Sequence, residues 1–359
     1  MGLRECCSTF LAALPNPSLP LLHSFVLGTI FSAIILLYVY SKESKLGLKM
    51  TVKLLIKNLF YALPSPLHLE SQVCRNPDCV RCHKYQELMV QMSCRWKEIK
   101  EKNPKLELKR VKEAVQNLDR KSNPSEEIMS KEQKDEYLEK KEKKKPSYLE
   151  FQKPTLFHMN LAANPYWSDL DVYGSEIELL KLNFQIILKE FKYLFEALQN
   201  GYHSGWKLND VENGHWCIFP LLDQGTINEA NCSRCPNTAA LLGSLPALMK
   251  DCVFGNVCFS VLYPDSVIKP HYGPSNIRLR CHLGLDVPAG CKLEVAGTQH
   301  QWHPSQCLIF DDSFLHSATF TSTPGLPQGV ARGLLMIDFW HPDISVKEKE
   351  VLTHLLSPT

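Results

Sequence analysis

The chain lacks a strong excess of either charge: 40 Lys and Arg stand against 38 Asp and Glu over 359 residues, a net charge of +2. That balance argues against a dedicated nucleic-acid binder, which needs a basic face to meet phosphates. Signs of a cleavable leader are also lacking. Only Arg4 and the terminal amine are positive before the first apolar run, and Leu-Tyr-Val-Tyr at its end is a poor cleavage site. Cysteine is plentiful at 14, but it is scattered through a length able to bury its own core, so it neither marks a small disulfide scaffold nor fixes a redox compartment. What is present is an ordinary globular composition, 44% hydrophobic and 22% charged.

One apolar run stands out, Leu21 to Tyr40 (LLHSFVLGTIFSAIILLYVY), in which His23 is the sole titratable group before the terminal tyrosines. It is long enough to span a bilayer core of about 30 Å, and the expectation is an uncleaved signal-anchor behind a 1–20 tail. Lys42, Lys45, Lys49, Lys53 and Lys57 follow the run, which by the positive-inside rule alone would place the rest of the chain in the cytosol. Further on, Cys74, Cys79, Cys82 and His83 have a spacing open to a structural zinc, a disulfide or free thiols. From Arg95 to Lys145 Lys and Glu dominate, aromatics are almost absent, and Pro104 and Asn123-Pro124 interrupt. Residues 41–150 therefore read as a stalk with a Cys-rich segment and a charged linker.

Residues 151–359 have a different texture. From about Glu176, Ile177, Leu180, Phe184, Ile187, Phe191, Leu194 and Leu198 recur at steps of three and four, one apolar helical stripe. Short apolar runs follow, separated by Gly, Pro, Asn and Asp: His215 to Leu222, Val257 to Tyr263, Ile277 to Leu285, Cys291 to Ala296, Gln306 to Asp311 and Gly333 to Phe339. Only Asn237 to Lys250 reads as a helix among them. So many short strands predict a mainly β domain, a β-sandwich or barrel for which a jelly roll (double-stranded β-helix) with flanking helices is the leading candidate.

Within that domain His271 opens HYGPSNIRLRCHLG, whose alternation puts Ile277, Leu279, Cys281 and Leu283 on one face and Arg278, Arg280, His282 and Gly284 on the other. His316 ends Phe310-Asp-Asp-Ser-Phe-Leu-His, and Arg332 starts the last strong strand. Two neutral imidazoles brought together suit Fe(II), Zn(II) or Cu(II), and a guanidinium nearby suits a carboxylate. Asp311 and Asp312 either hold an imidazole N–H from behind or cap a turn.

The stretches HYGPSNIRLRCHLGL, LIFDDSFLH and MIDFWHP resemble the catalytic domain of aspartyl/asparaginyl β-hydroxylase over about Phe151 to Pro342. The whole chain, with its single span and Cys79-Val-Arg-Cys82, is similar to the aspartate β-hydroxylase domain-containing proteins. The resemblance implies an Fe(II)- and 2-oxoglutarate-dependent dioxygenase with His271 and His316 as iron ligands. Around 2-oxoglutarate it implies Trp216, Ser260, Arg280, Cys281, His282 and Arg332, with Cys281 alternatively turned into the core. Most enzymes of that class carry a carboxylate two residues after the first histidine, where this chain has Gly273; the family shares the gap. Cys258 departs further, standing where the hydroxylase itself has a basic residue.

The implied activity is hydroxylation of Asp or Asn side chains in a protein substrate at the β carbon, by an enzyme held in the membrane through one span. The alternatives are a non-catalytic anchored binding module on the same fold, and a jelly-roll lectin or cupin with another metal. The resemblance also implies a type II orientation with the domain in the lumen of the endoplasmic reticulum or secretory pathway, against the lysines after the span. Asn231-Cys-Ser233 is an N-glycosylation acceptor that fits a lumenal domain.

Overall fold

The computed structural model describes residues 85–103, 107–122, 152–168, 172–209, 211, 213–327 and 329–358. The expected span Leu21–Tyr40, the 1–20 tail, Cys74, Cys79, Cys82, His83 and the lysine run ending at Lys145 lie outside the described residues. Among the described residues no helix is long and apolar enough to cross a membrane. Of two compact units, the smaller contributes only Ala197–His203 to the described residues, a last helical turn and the turn after it. The larger, Glu70–Glu196 with Ser204–Thr359, carries the sheets and the site.

In chain order the elements begin with α1 (Tyr85–Lys102), α2 (Lys109–Ser122), β1 (Tyr166–Trp167), α3 (Gly174–Leu182) and α4 (Phe184–Gln199). Next come β2 (Lys207–Asn209), β3 (Trp216–Asp223), β4 (Thr226–Ile227), α5 (Glu229–Cys232) and α6 (Pro236–Gly243). The remaining strands are β5 (Val257–Leu262), β6 (Ser266–His271), β7 (Arg278–Asp286), β8 (Cys291–Val295), β9 (Thr298–His300), β10 (Cys307–Phe310), β11 (His316–Phe320) and β12 (Arg332–Trp340), before α7 (Val346–Leu355).

From β5 onward the chain passes back and forth between two antiparallel sheets. One runs β1-β10-β7-β12-β5-β3-β2 with β4 hairpinned on β3, and the other β6-β11-β8-β9. This is a jelly roll, as the strand pattern predicts. Leu262, Phe310 and Leu334 of the large sheet meet Ile268, Leu293, Val295, Ala318 and Phe320 of the small one in a single buried cluster. The opposite face of the large sheet takes the helices. Phe191 of α4 packs on Phe259 with ring centroids 5.5 Å apart, and Tyr173, just before α3, lies 4.8 Å from Phe339. Gly333 permits this approach, since a Cβ there would run into the Phe191 ring. Full burial of one such aromatic side chain contributes about 1.5–3 kcal/mol.

Three expectations change. The helix from Glu176 is two helices, because Asn183 ends the first and turns its side-chain amide onto the Leu179 carbonyl. The helix over Asn237 to Lys250 stops at Gly243, with Pro246 close behind. The third concerns the stalk. Leu88, Met92 and Ile99 of α1 and Val111, Ala114, Val115 and Leu118 of α2 are buried in one cluster with Phe157, Met159, Trp340 and Leu352, so this part of 41–150 packs onto the domain. Polar ties fasten it there: Arg110 bonds Glu348 at 2.5 Å, the residue that closes the capping box of α7, and Arg95 donates to the carbonyls of Leu355 and Ser357 at its far end.

Candidate active site

Alternation along β7 decides which side chains enter the space between the sheets. Register pairs His282 with Met336, Arg280 with Asp338 and Gly284 with Leu334 on β12, and Leu334 with Ser260 on β5. Leu334 belongs to the inter-sheet cluster, so Arg278, Arg280, His282, Ser260 and Arg332 share its inward face. Arg278, Ser260, His282 and Arg332 are buried there. Cys281 has the opposite parity and its side chain is buried on the helix side of the sheet, so it is removed from the implied set of side chains around 2-oxoglutarate.

The two histidines come from the other sheet. His271 does not open the strand containing Arg280; it ends β6, and the turn through Gly273 and Pro274 carries the chain across to β7. β11 pairs with β6 so that His316 faces His271, with ring centroids 4.1 Å apart. The Nδ1 of His271 lies 2.8 Å from the Lys269 carbonyl, and that of His316 2.8 Å from the Phe314 carbonyl. Each Nδ1 is therefore the protonated nitrogen, which leaves Nε2 as the acceptor, the form a metal ligand requires. His271 is half-buried and His316 buried, so the pair sits where the interior meets solvent.

At the other end of the space lies Arg332. Its Nη2 donates to Ser260 Oγ at 2.9 Å, and Trp216 Nε1 donates to the same oxygen at 3.0 Å. With its acceptor sites taken, the Ser260 hydroxyl points its own hydrogen elsewhere, a further donor for any oxygen that Arg332 holds. Arg332 Nε is buried without a hydrogen-bond partner, and among the described residues no carboxylate forms an ion pair with this guanidinium. Burial alone pushes its pKa down to about 10. Ile218, Cys258 and Met336 form an apolar patch beside Trp216. Cys258 is a neutral thiol there, its pKa raised to about 12 by burial.

Arg280 and His282 bring little net positive charge to this space. Arg280 Nε and Nη2 bond the two oxygens of Asp338 at 2.8 and 3.0 Å, and its Nη1 reaches Asp312 at 3.2 Å. Arg278 joins the same network, 2.5 Å from Asp312 and 3.1 Å from Asp338, and also donates to the Phe254 carbonyl. Two guanidiniums face two carboxylates, and the network is close to neutral. Burial works to raise the pKa of Asp312, but Arg278 and Arg280 overcome it and hold the carboxyl well below its usual range. His282 is neutral, its pKa lowered by burial first and then by Arg280 and Arg332.

Gly273 is explained by this network. A Cβ there would lie 2.6–2.7 Å from the carboxylate atoms of Asp312, so the place beside the first histidine is already filled from the turn between β10 and β11. Asp312 is thus an ion-pair partner, and Asp311 shapes the turn, accepting from Ser313 N at 2.9 Å, Ser313 Oγ at 2.5 Å and Gln152 Nε2 at 2.9 Å. Burial raises the Asp311 pKa to about 7 despite those bonds. Between about pH 4 and 7 the folded protein keeps a proton that the unfolded chain releases, so stability falls as pH rises through that window. Asp311→Asn is expected to remove about 2 kcal/mol of this fall between pH 5 and 7, read from urea midpoints at the two pH values.

Sequence reasoning missed three groups that the fold brings in. Trp302, from the loop between β9 and β10, donates to His282 Nδ1 at 3.1 Å and lies under Arg332. Phe310 sets an edge against both His282 and His316. Asp338, on the inward face of β12, is legible in the sequence only as part of an apolar strand. The reading of Asn231 as a glycan acceptor also fails. Its side-chain amide is buried and donates to the carbonyls of Gly205 and Pro220, leaving no room for a sugar in the folded domain.

A family model described as aspartyl/asparaginyl beta-hydroxylase matches residues 181–342. Aspartate beta-hydroxylase domain-containing protein 2 of Homo sapiens is 37% identical over 287 residues, covering 79% of this chain and 70% of that protein. Its mouse counterpart is 37% identical over 290 residues, 80% of this chain and 77% of that protein. Human aspartyl/asparaginyl beta-hydroxylase is 32% identical over 201 residues, 55% of this chain and 26% of that protein. With a jelly roll that sets two histidines opposite a buried arginine, and the human and mouse domain-containing proteins matched over most of their length, this chain belongs to the aspartyl/asparaginyl β-hydroxylase family.

Proposed function

We propose that the chain is an Fe(II)- and 2-oxoglutarate-dependent dioxygenase that hydroxylates Asp or Asn side chains of proteins at the β carbon. The observation that carries this reading is Arg332, a buried guanidinium with an unpartnered Nε, opening on the same interior as the paired histidines. A buried cation without an anion is costly, and a dicarboxylate that reaches it while its other end lies toward the histidines offsets that cost. His271 and His316 would hold the iron through Nε2, their rings fixed from behind by backbone carbonyls. Iron so bound supplies the oxidative chemistry that couples decarboxylation of 2-oxoglutarate to hydroxylation of a C–H bond. Arg332 and Ser260 grip the distal carboxylate, His282 donates a neutral hydrogen bond, and the protein substrate enters from the half-exposed His271 side.

The test is conversion of 2-oxoglutarate to succinate by the purified protein. Succinate should form only with Fe(II), and His316→Ala should cut turnover by more than about a hundredfold, since even the partners behind a metal ligand are worth about 10–100-fold. Turnover that survives His316→Ala sinks the assignment. Binding of iron and 2-oxoglutarate with no turnover on any protein substrate favours the non-catalytic binding module instead. Anchoring through Leu21–Tyr40 in the type II orientation is part of the same proposal and rests on the family resemblance, the buried Asn231 lending it no support. Protease protection of the domain in sealed vesicles decides the orientation.

A further inference from the structure

We infer that Trp302 is a positioning residue for the co-substrate end of the site, acting on His282 and Arg332 together; this rests on the reading of that space as the 2-oxoglutarate site. Its indole N–H donates to His282 Nδ1 at 3.1 Å. A neutral imidazole that accepts at Nδ1 carries its hydrogen on Nε2, so this bond selects the tautomer in which His282 is a donor at its other nitrogen. The opposite tautomer would present a lone pair to a carboxylate and repel it. The face of the same indole lies under the Arg332 guanidinium, 4.9 Å from ring centroid to Cζ. This contact orients a cation that has no acidic side chain paired with it among the described residues. Trp302 is buried, and its bicyclic ring lies 5.9 Å from the His282 ring. Ring contacts continue from His282 to Phe310 at 5.0 Å and from Phe310 to His316 at 5.7 Å, so one row of side chains spans the space from the anion end to the histidine pair.

The test separates hydrogen bond from shape. In the full-length chain, position 302 is filled with β-(3-benzothienyl)alanine, which keeps the bicyclic face and replaces N–H with sulfur. Affinity for 2-oxoglutarate is measured by calorimetry with Mn(II) present, alongside thermal melting and the ring-nitrogen shifts of labelled histidine. The expected result is an unchanged melting temperature, about tenfold weaker 2-oxoglutarate binding, and a His282 signal that moves from the Nε2–H pattern toward a mixture. Parent-like affinity with the Nε2–H pattern intact overturns the inference. Should the parent itself fail to bind 2-oxoglutarate, the reading of the site fails, and the histidine shifts alone decide Trp302: a pattern lost in the isostere supports the tautomer lock, and a pattern retained overturns it.

Discussion

Arg332→Gln is expected to stabilise the ligand-free protein while weakening 2-oxoglutarate binding by about a hundredfold. The two effects have one cause. Burial, with no ion-pair partner among the described residues, lowers the Arg332 pKa from 12.5 to about 10, and a shift of that size corresponds to a penalty of about 3 kcal/mol for keeping the guanidinium charged near neutral pH. Glutamine keeps a donor for Ser260 Oγ and removes the charge. Hydrogen bonds to charged groups contribute about 1.5–3 kcal/mol each, and about 3 kcal/mol lost from binding is a hundredfold in affinity. Urea midpoints and calorimetric titration read the two signs separately. A variant that loses stability in proportion to its loss of affinity would make Arg332 a structural residue and remove the observation on which the proposed function stands.

The same residue shows how far the sequence can be read. Arg332 is legible only as the start of a mostly apolar strand whose nine residues are all buried, whereas the inward face of β7 is legible because its polar and apolar residues alternate without a fault. β7 is long, with partners on either side, so its period-2 signal is clean. The histidines are harder. β6 and β11 are short strands of the small sheet, and neither carries an apolar run that announces it; the turn at Gly273-Pro274 therefore merges His271 with the wrong strand. The role of Arg280 is hidden because its partners, Asp312 in the turn after β10 and Asp338 on β12, arrive from distant parts of the chain, and sequence spacing holds no record of such ion pairs. In α1 and α2 composition conceals the packing. Leu88, Met92, Trp96 and Ile99 recur at helical spacing, as do Val111, Ala114, Val115 and Leu118, but abundant Lys and Glu on the outer faces mask two narrow stripes.

Gly273→Asp would restore the carboxylate that most enzymes of this chemistry carry after the first histidine, and it is expected to damage the protein rather than improve it. A Cβ at 273 falls 2.6–2.7 Å from Asp312 Cγ, Oδ1 and Oδ2, closer than real Cβ atoms come to anything. Asp312 is poorly placed to yield, because Arg278 and Arg280 hold it in a buried network and the Gly273 N–H bonds its backbone carbonyl at 2.6 Å. The substitution therefore adds a clash and a second buried carboxylate against the first, at a cost of about 3 kcal/mol or more. Gly273→Ala carries the clash without the charge and should fall between the parent and Gly273→Asp. Adding Asp312→Ala to Gly273→Asp empties the contested space and supplies Arg278 with a replacement carboxylate, so the double variant should be more stable than the sum of the singles by about 1–3 kcal/mol. Chemical denaturation of the parent, the two singles and the double measures that coupling, and titration with Fe(II) measures whether the introduced carboxylate becomes a ligand. If Gly273→Asp alone melts like the parent and binds iron more tightly, the space beside His271 was never held by Asp312, and Gly273 needs a different explanation.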